Sequence, residues 1–319
     1  MATSSHASDD NQTKTFKTFP EFSKLTLADR ERYEELIKDY PPISDISFAT
    51  LMLWWNQLGS LAISLLNGNL VISYWLPGDE RRSGLSLIGK HNVDESLCTI
   101  FDYLQERNEA PRIIQVPEFV VSHMHHPELF RFEGERTLDE YIIPIDKFYP
   151  LSHVISYRRH RIRKFLSGVD EGRISVRSID LSQEENRSLL LDSVKLWPKK
   201  GTINAPSKMS EEALHASVAE AEQLGIENVC LFVGGTLHAF LLYQSPADKR
   251  YVIFAQAKLS YELPFLFDYV AYAFAKWFAE RGVTQVNLDV DFGIPMFRII
   301  KLALGPQNFF RKYTVEPAR

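Results

Sequence analysis

Asn287, Asp289 and Asp291 alternate along the stretch Asn287-Leu-Asp289-Val-Asp291. On an extended strand, a spacing of two turns all three side chains to one side. Three aligned polar groups at the end of a strand can grip an amine or orient a nucleophile. They can equally cap the helix that follows, with Asp291 meeting its free N–H groups and pairing with Arg298. Arg298 and Lys301 stand three apart, close enough to share a helix face. There they can meet a phosphate or a carbonyl oxygen, or simply pair with the acidic residues upstream.

A second charged stretch, Arg158 to Lys164, packs Arg158, Arg159, Arg161, Arg163, Lys164 and His160 into seven positions. On a helix these make a positive face anchored by Ile162 and Phe165. Such a face suits phosphate-rich RNA or another anion, although many such runs are only solvated. His123, His125 and His126 precede Pro127 on an expected surface loop with no Cys or acidic partner at ligand spacing, so no metal site is expected. No Ser-His-Asp or Cys-His arrangement stands in a supporting context, and no covalent nucleophile is assigned.

The elements that must position these residues follow from periodicity. Helical spacing of Tyr33, Leu36, Ile37 and Tyr40 predicts a helix over Leu27–Tyr40, capped by Thr26 and stopped by Pro41-Pro42. An aromatic-rich apolar segment, Phe48–Leu58, comes next. A hairpin, Leu61–Leu66 and Leu70–Trp75, closes on Asn67-Gly68, which suits a type I′ turn. Strands are expected at Gly84–Gly89, Arg112–Val116, Leu129–Glu133 and Glu140–Ile145, with a helix over Asp94–Arg107. From Ile174 onward the predicted order is β-α-α-β-β-β-α-β-α-β. Its strands are Ile174–Ile179, Asn228–Val233, Leu237–Gln244, Tyr251–Gln256, Gln285–Val290 and Phe309–Val315. Its helices are Gln183–Leu196, Glu211–Leu224, Leu263–Arg281 and Pro295–Leu304. This is an α/β (mixed α+β) chain, and the first half repeats the pattern more loosely.

The 319 residues suffice for two domains, with 45% hydrophobic and 24% charged residues placing them among globular proteins. The formal charge of −5 argues against a general polyanion-binding surface while leaving room for a local basic stripe. Cys98 and Cys230 are too few for a disulfide framework, and no apolar run approaches the ~20 residues that span a bilayer. A cytoplasmic protein is expected, with residues 1–15 as a disordered tail and domains at 16–165 and 166–319.

The stretch from Asn287 to Tyr313 resembles the C-terminal domain of phosphatidylglycerol lysyltransferases. Asn287, Asp291, Gly293, Arg298, Lys301 and Tyr313 match that family's pattern, and Asp289 stands where it usually has Glu. Pro41-Pro42, Ser47-Phe48 and Trp54 resemble its opening segment. Leu151 and the run Tyr157–Phe165 resemble its basic centre. Departures are His153 for a Gly, His160 for an Asn, and the glycine-free Ser260-Tyr-Glu-Leu-Pro264 at the start of the long helix.

The resemblance implies a tandem of two acetyltransferase-like (GNAT-like) domains and an aminoacyl or acyl transferase acting on an amine or hydroxyl acceptor. Asp289 and Asp291 would hold an amine, Arg298 and Lys301 would stabilise developing negative charge, and Asn287, Tyr313, Arg158, Arg159, His160 and Arg161 would bind substrate. In GNAT enzymes a glycine-rich turn holds the cofactor pyrophosphate at a helix N-terminus. The turn here lacks glycine and carries Glu262, which disfavours acyl-CoA and points to an aminoacyl-tRNA co-substrate, with no bound cofactor and tRNA meeting the Arg158–Lys164 segment. The competing reading is a non-catalytic GNAT-like module that binds a ligand or RNA. An acyl-CoA acetyltransferase built on the first domain is weaker, because Gly84 to Gly89 falls in a strand and not at a helix start.

Overall fold

The computed structural model describes residues 15–55, 60–75, 83–197, 208–260 and 262–318. The expected tail lies almost wholly outside them. Strands of the first half are β1 (Ser23–Lys24), β2 (Ser60–Leu66), β3 (Asn69–Trp75), β4 (Gly84–Ile88), β5 (Ile113–Pro117), β6 (Phe130–Gly134) and β7 (Glu140–Pro144). The second half supplies β8 (Ile174–Arg177), β9 (Ile226–Val233), β10 (Thr236–Gln244), β11 (Tyr251–Leu259), β12 (Gln285–Asn287), β13 (Asn308–Phe310) and β14 (Lys312–Pro317). The longer helices are α1 (Arg30–Ile37), α2 (Val93–Glu106), α3 (Ser156–Gly168), α4 (Glu184–Leu196), α5 (Lys208–Ala219), α6 (Leu266–Ala279) and α7 (Pro295–Ala303).

Two mixed sheets result, with orders β1-β2-β3-β4-β5-β14-β6 and β13-β7-β12-β11-β10-β9-β8. The sheets exchange strands. β7, from the first half, lies between β12 and β13 of the second sheet, and β14, the last strand of the chain, lies between β5 and β6 of the first. A cut at residue 165 therefore divides the sequence but not the sheets. The single strand expected at Phe309–Val315 is two: Phe309 pairs with Tyr141, then Arg311 carries the chain across so that Tyr313 pairs with Val116.

Local chemistry explains the tight turns. Asn67 and Gly68 both take positive φ (51° and 80°), as a two-residue hairpin requires. Gly234 and Gly235 do the same between β9 and β10. Packing then fixes the layers. One core, including Tyr33, Phe48, Leu51, Ile63, Phe232, Phe240 and Leu242, is shared by both halves of the chain. A second joins the other face of the second sheet to α3 and α6 through Ile162, Phe165, Tyr269 and Phe278. A third sets α2 on the first sheet through Leu97, Ile100 and Phe101. Burying side chains from both halves in one core is the hydrophobic reason the halves stay together.

Candidate active site

β12 stops at Asn287 because the backbone reverses just beyond it. Asp289 adopts a left-handed conformation (φ 62°), and Phe292 and Gly293 follow at 52° and 74°. These reversals fold the strand expected to reach Val290 into a compact turn before α7. The predicted common face of Asn287, Asp289 and Asp291 is thereby corrected. Glu140 and Tyr141 are neighbours on β7 and point to opposite sides of the sheet. Asn287 donates to Glu140, whereas Asp291 accepts from the Tyr141 hydroxyl at 2.6 Å. Asp289 sides with Asn287, since its Oδ1 accepts from the Ser44 hydroxyl at 2.7 Å.

The inner network is sealed. Lys312, 1% exposed, pairs with Asp45 and lies 2.6 Å from Glu140, itself fully buried. Glu140 also accepts from the Ser44 N–H at 2.8 Å, and Asn287 donates to the Pro42 carbonyl at 2.9 Å. Asp45, Glu140 and Asp289 each bring a ligand-capable oxygen within 4.8 Å of the others. The Lys312 ammonium supplies the positive charge such a cluster demands, because isolated buried carboxylates are costly. Burial pushes the Asp45 carboxyl up to about 6 against the pull of Lys312. Burial acts to lower Lys312, but Asp45 and Glu140 outweigh it and hold the ammonium above its ordinary range.

The outer network opens to solvent. Asp291 accepts Arg298 Nε at 2.7 Å and Nη2 at 3.1 Å, together with the Gly293 N–H at 2.8 Å. Burial alone would raise its carboxyl; Arg298, Tyr141 and the Gly293 N–H outweigh that and hold it far below the usual carboxylate range. The Arg298 side chain is 38% exposed and Asp291 not at all, so the pair has one sealed and one open end. Lys301 is committed differently. Its ammonium donates to the carbonyls of Leu288 (2.7 Å), Asp289 (3.1 Å) and Val290 (2.5 Å), using three protons to hold the turn. Burial draws its pKa down, with the nearby carboxylates opposing.

Other predicted residues lie elsewhere. Tyr313 is adjacent to Lys312 on β14, so the two face opposite ways; its hydroxyl lies 3.5 Å from Glu118. On α3, His160, Arg161, Arg163 and Lys164 are exposed, but Arg158 is buried and does not belong to the expected positive face. Its spacing with Ile162 and Phe165 puts it on the inner stripe of the helix. There it donates to the Ala303 carbonyl at 3.1 Å and approaches Asp268 at 4.0 Å, while Arg161 reaches Asp268 at 3.4 Å. Asp268 occupies the first turn of α6 and is buried. His123, His125 and His126 are at the surface, and the backbone N–H groups of the last two donate to Asp94.

Asp45, Glu140, Ser44 and Lys312 escaped the prediction of site residues. Lys312 immediately precedes Tyr313 in the stretch that resembles the family, and that adjacency is its only signal in the sequence. Glu140 carries a weaker signal: an acidic residue heading the apolar run Tyr-Ile-Ile.

β11 and β12 pair from Tyr251–Gln285 to Ile253–Asn287, after which β11 runs on to Leu259 while the backbone beyond Asn287 bonds to β7 through Leu288 and Tyr141. β11 thus outruns its partner beside the Asn287–Gly293 turn. A separate cleft of ≈ 470 Å³ lies behind Pro42 and Ile43, between α1 (Arg30, Glu34, Lys38) and the Gln244–Lys249 loop. Neither Asp289 nor Arg298 lines it.

The family model described as "Phosphatidylglycerol lysyltransferase, C-terminal" matches residues 40–295. The chain belongs to that family. It is therefore a member of a transferase family, and its two mixed sheets with helices bear out the mixed α/β fold expected from the sequence. Among solved structures, a conserved protein from Bacteroides thetaiotaomicron is 20% identical with a TM-score of 0.70, covering 93% of this chain and 99% of that one. The C-terminal domain of a candidate lysylphosphatidylglycerol synthetase from Agrobacterium fabrum is 14% identical (TM-score 0.59; 92% and 93% covered). L-PGS from Bacillus licheniformis is 14% identical (TM-score 0.57; 95% and 94% covered). FemX shares the fold as well, at 12% identity and a TM-score of 0.58, with 93% and 97% covered. No curated protein matches the sequence. No helix among the described residues is long and apolar enough to cross a membrane.

Proposed function

We propose that this protein transfers an aminoacyl group from an aminoacyl-tRNA to an amine or hydroxyl acceptor, working beside the Asn287–Gly293 turn. The observation that carries the reading is the family match over residues 40–295. In this account Arg298, fixed by Asp291 and Tyr141 yet open on one side, meets the ester carbonyl or the adjacent phosphate and stabilises negative charge as it develops. Asp289 holds the amine from the turn that Lys301 braces, and Asn287 fixes that turn by accepting the Asp289 N–H at 2.8 Å. Two features support a donor without a pyrophosphate. The turn before α6 has no glycine, and the buried Asp268 carboxylate already occupies the first turn of that helix, where an anion would otherwise bind. The exposed His160, Arg161, Arg163 and Lys164 suit the tRNA backbone, with Arg159 beside them. A tRNA donor implies a cytoplasmic reaction.

One observation favours a second reading. Lys301 and Asp291 are saturated by bonds within the chain, as in a scaffold that binds a ligand without turnover. Incubation with charged tRNA pools and, separately, with acetyl-CoA distinguishes the two. Loss of the acyl group from one amino acid's tRNA, abolished in Arg298→Ala, is the result expected of the transferase. Absence of turnover with either donor would leave the binding module.

A further inference from the structure

Beyond Ile253 the outer edge of β11 is bare. On an antiparallel pair every second residue turns its N–H and C=O away from its partner. Along Phe254–Leu259 those groups point to the side that β12 has left, and among the described residues nothing bonds to them. Ala257 is exposed, so the edge is open to solvent there. A free edge of this length is a template for another extended chain.

Two unpaired side chains lie along the same strand. Gln256 and Lys258 stand opposite Leu242 and Phe240, which belong to the core shared by both halves. Cross-strand partners share a face, so both side chains point to that side of the sheet. Asn287 and Asp289 point the same way, since they bond to Pro42 and Ser44, on either side of Ile43 in that core. Gln256 is 7% exposed, yet its carboxamide has no hydrogen-bond partner among the described residues. Lys258 is half-buried and has neither a hydrogen bond nor an ion pair among them; burial outweighs the pull of Glu211 and draws its ammonium below the ordinary range. Polar groups so placed demand partners, and the described chain supplies none.

We infer that the acceptor is an extended polypeptide that adds to β11 as a strand, with its N-terminal amine at the Asn287–Gly293 turn and an acidic side chain paired to Lys258. This rests on the transferase reading. Running in the direction of β12, the added chain begins where β12 ends, and Asp289 receives its amine. At ~3.3 Å per residue, Lys258 lies about 16 Å beyond the level of Ile253 and Asn287, opposite about the fourth or fifth acceptor residue. Gln256 meets a polar side chain two positions earlier on the same face. The amine, as its free base, attacks the ester carbonyl. An amide bond forms, the ester C–O bond breaks, and the tRNA ribose hydroxyl leaves with the proton that the amine gives up. A strand edge alternates donors and acceptors, which an amide chain matches, whereas phosphates offer acceptors alone.

Binding is measured first without a donor, by fluorescence anisotropy of the full chain with C-terminally labelled hexapeptides of Gly, Ala and Ser that carry either Glu or Gln at the fourth and fifth positions. The Glu peptide should bind about fivefold more tightly than the Gln peptide. Lys258→Gln, with an unchanged circular dichroism spectrum, should abolish that difference. Lys249→Gln, which removes an equal charge from an exposed loop position, should preserve it. N-methylation of one alternate set of peptide N–H groups should weaken binding about tenfold or more, and methylation of the other set much less. No binding of the Glu peptide, equal affinities for the two peptides, a Lys258→Gln variant that still tells them apart, or equal losses from both methylated sets overturns the inference. With charged tRNA added, an amide-linked aminoacyl peptide is expected by mass spectrometry. Deacylation of tRNA without peptide binding or modification would retain the transferase and overturn this acceptor. Peptide binding with no deacylation would overturn the transferase reading, and the acceptor role with it.

Discussion

Two ionic networks sit on opposite sides of β7, a few ångströms of backbone apart, and they resolve the same problem differently. Around Lys312, the cation and Glu140 are enclosed and Asp45 is nearly so, and the ammonium takes two carboxylates where the two sheets exchange strands. Around Asp291, the anion is enclosed and the cation is not. Burial decides what each can do. A charge with no path to water can only stabilise or destabilise the fold, whereas a guanidinium held at one edge and open at the other can receive a ligand. We therefore assign the Lys312 network to architecture and Arg298 to chemistry, although both lie in the stretch that resembles the family's signature.

The contrast can be broken by substitution. Lys312→Met leaves two buried carboxylates without a counter-charge and should destabilise the protein by about 3–5 kcal/mol, read by chemical denaturation. A loss no larger than that of Arg298→Met would erase the distinction between the networks. Lys301→Met withdraws a charged donor from three carbonyls of the turn. It should cost about 2 kcal/mol and raise hydrogen exchange at residues 288–293 more than elsewhere; uniform exchange would deny it the bracing role.

The pH dependence sharpens the comparison further. The Asp291 carboxyl titrates far below its unfolded value, so its contribution is present above the ordinary carboxylate range and is lost as pH falls through it. The Asp45 carboxyl is raised to about 6, so its contribution is largest below its unfolded value near 4 and disappears as pH rises toward 6. Asp291→Asn should remove the acid-side loss, and Asp45→Asn should flatten the slope between about pH 4 and 6. Melting temperatures across pH that do not change slope in either variant would contradict these assignments. A smaller loss than that of Lys312→Met is expected for Arg298→Ala, which takes one part-exposed cation from the buried Asp291 carboxylate while the Tyr141 hydroxyl and the Gly293 N–H still donate to it. A drop as large as that of Lys312→Met would make Arg298 a structural residue after all.

Most of the elements were legible because their signals are local. Apolar periodicity gave α2 and α6, turn chemistry gave the Asn67-Gly68 and Gly234-Gly235 hairpins, and the element order of the second half matched the principal strands and helices as far as α7. The turn after Asn287 was not legible: a period of two is what a strand shows, and nothing in Leu288 or Val290 announces that Asp289 will take a positive φ. Arg158 was misread for a related reason. Charge suggested solvent, whereas its position four and seven residues before Ile162 and Phe165, with Asp268 waiting on another helix, turned it inward.

What the sequence determined by itself is the set of strands and helices and the kinship carried by Asn287 to Tyr313, since both depend on spacing along the chain. Which sheet each strand joins was decided only in three dimensions. β7 and β14 carry patterns that fit either sheet, and the choice rests on which edges were free and which core remained to be filled. The same choice made the site. Lys312 and Asp45 are 267 residues apart, and Asp289 and Ser44 are 245 apart. No local preference brings such groups together; they meet because crossing strands carry them into one buried space, where each charge must find its partner.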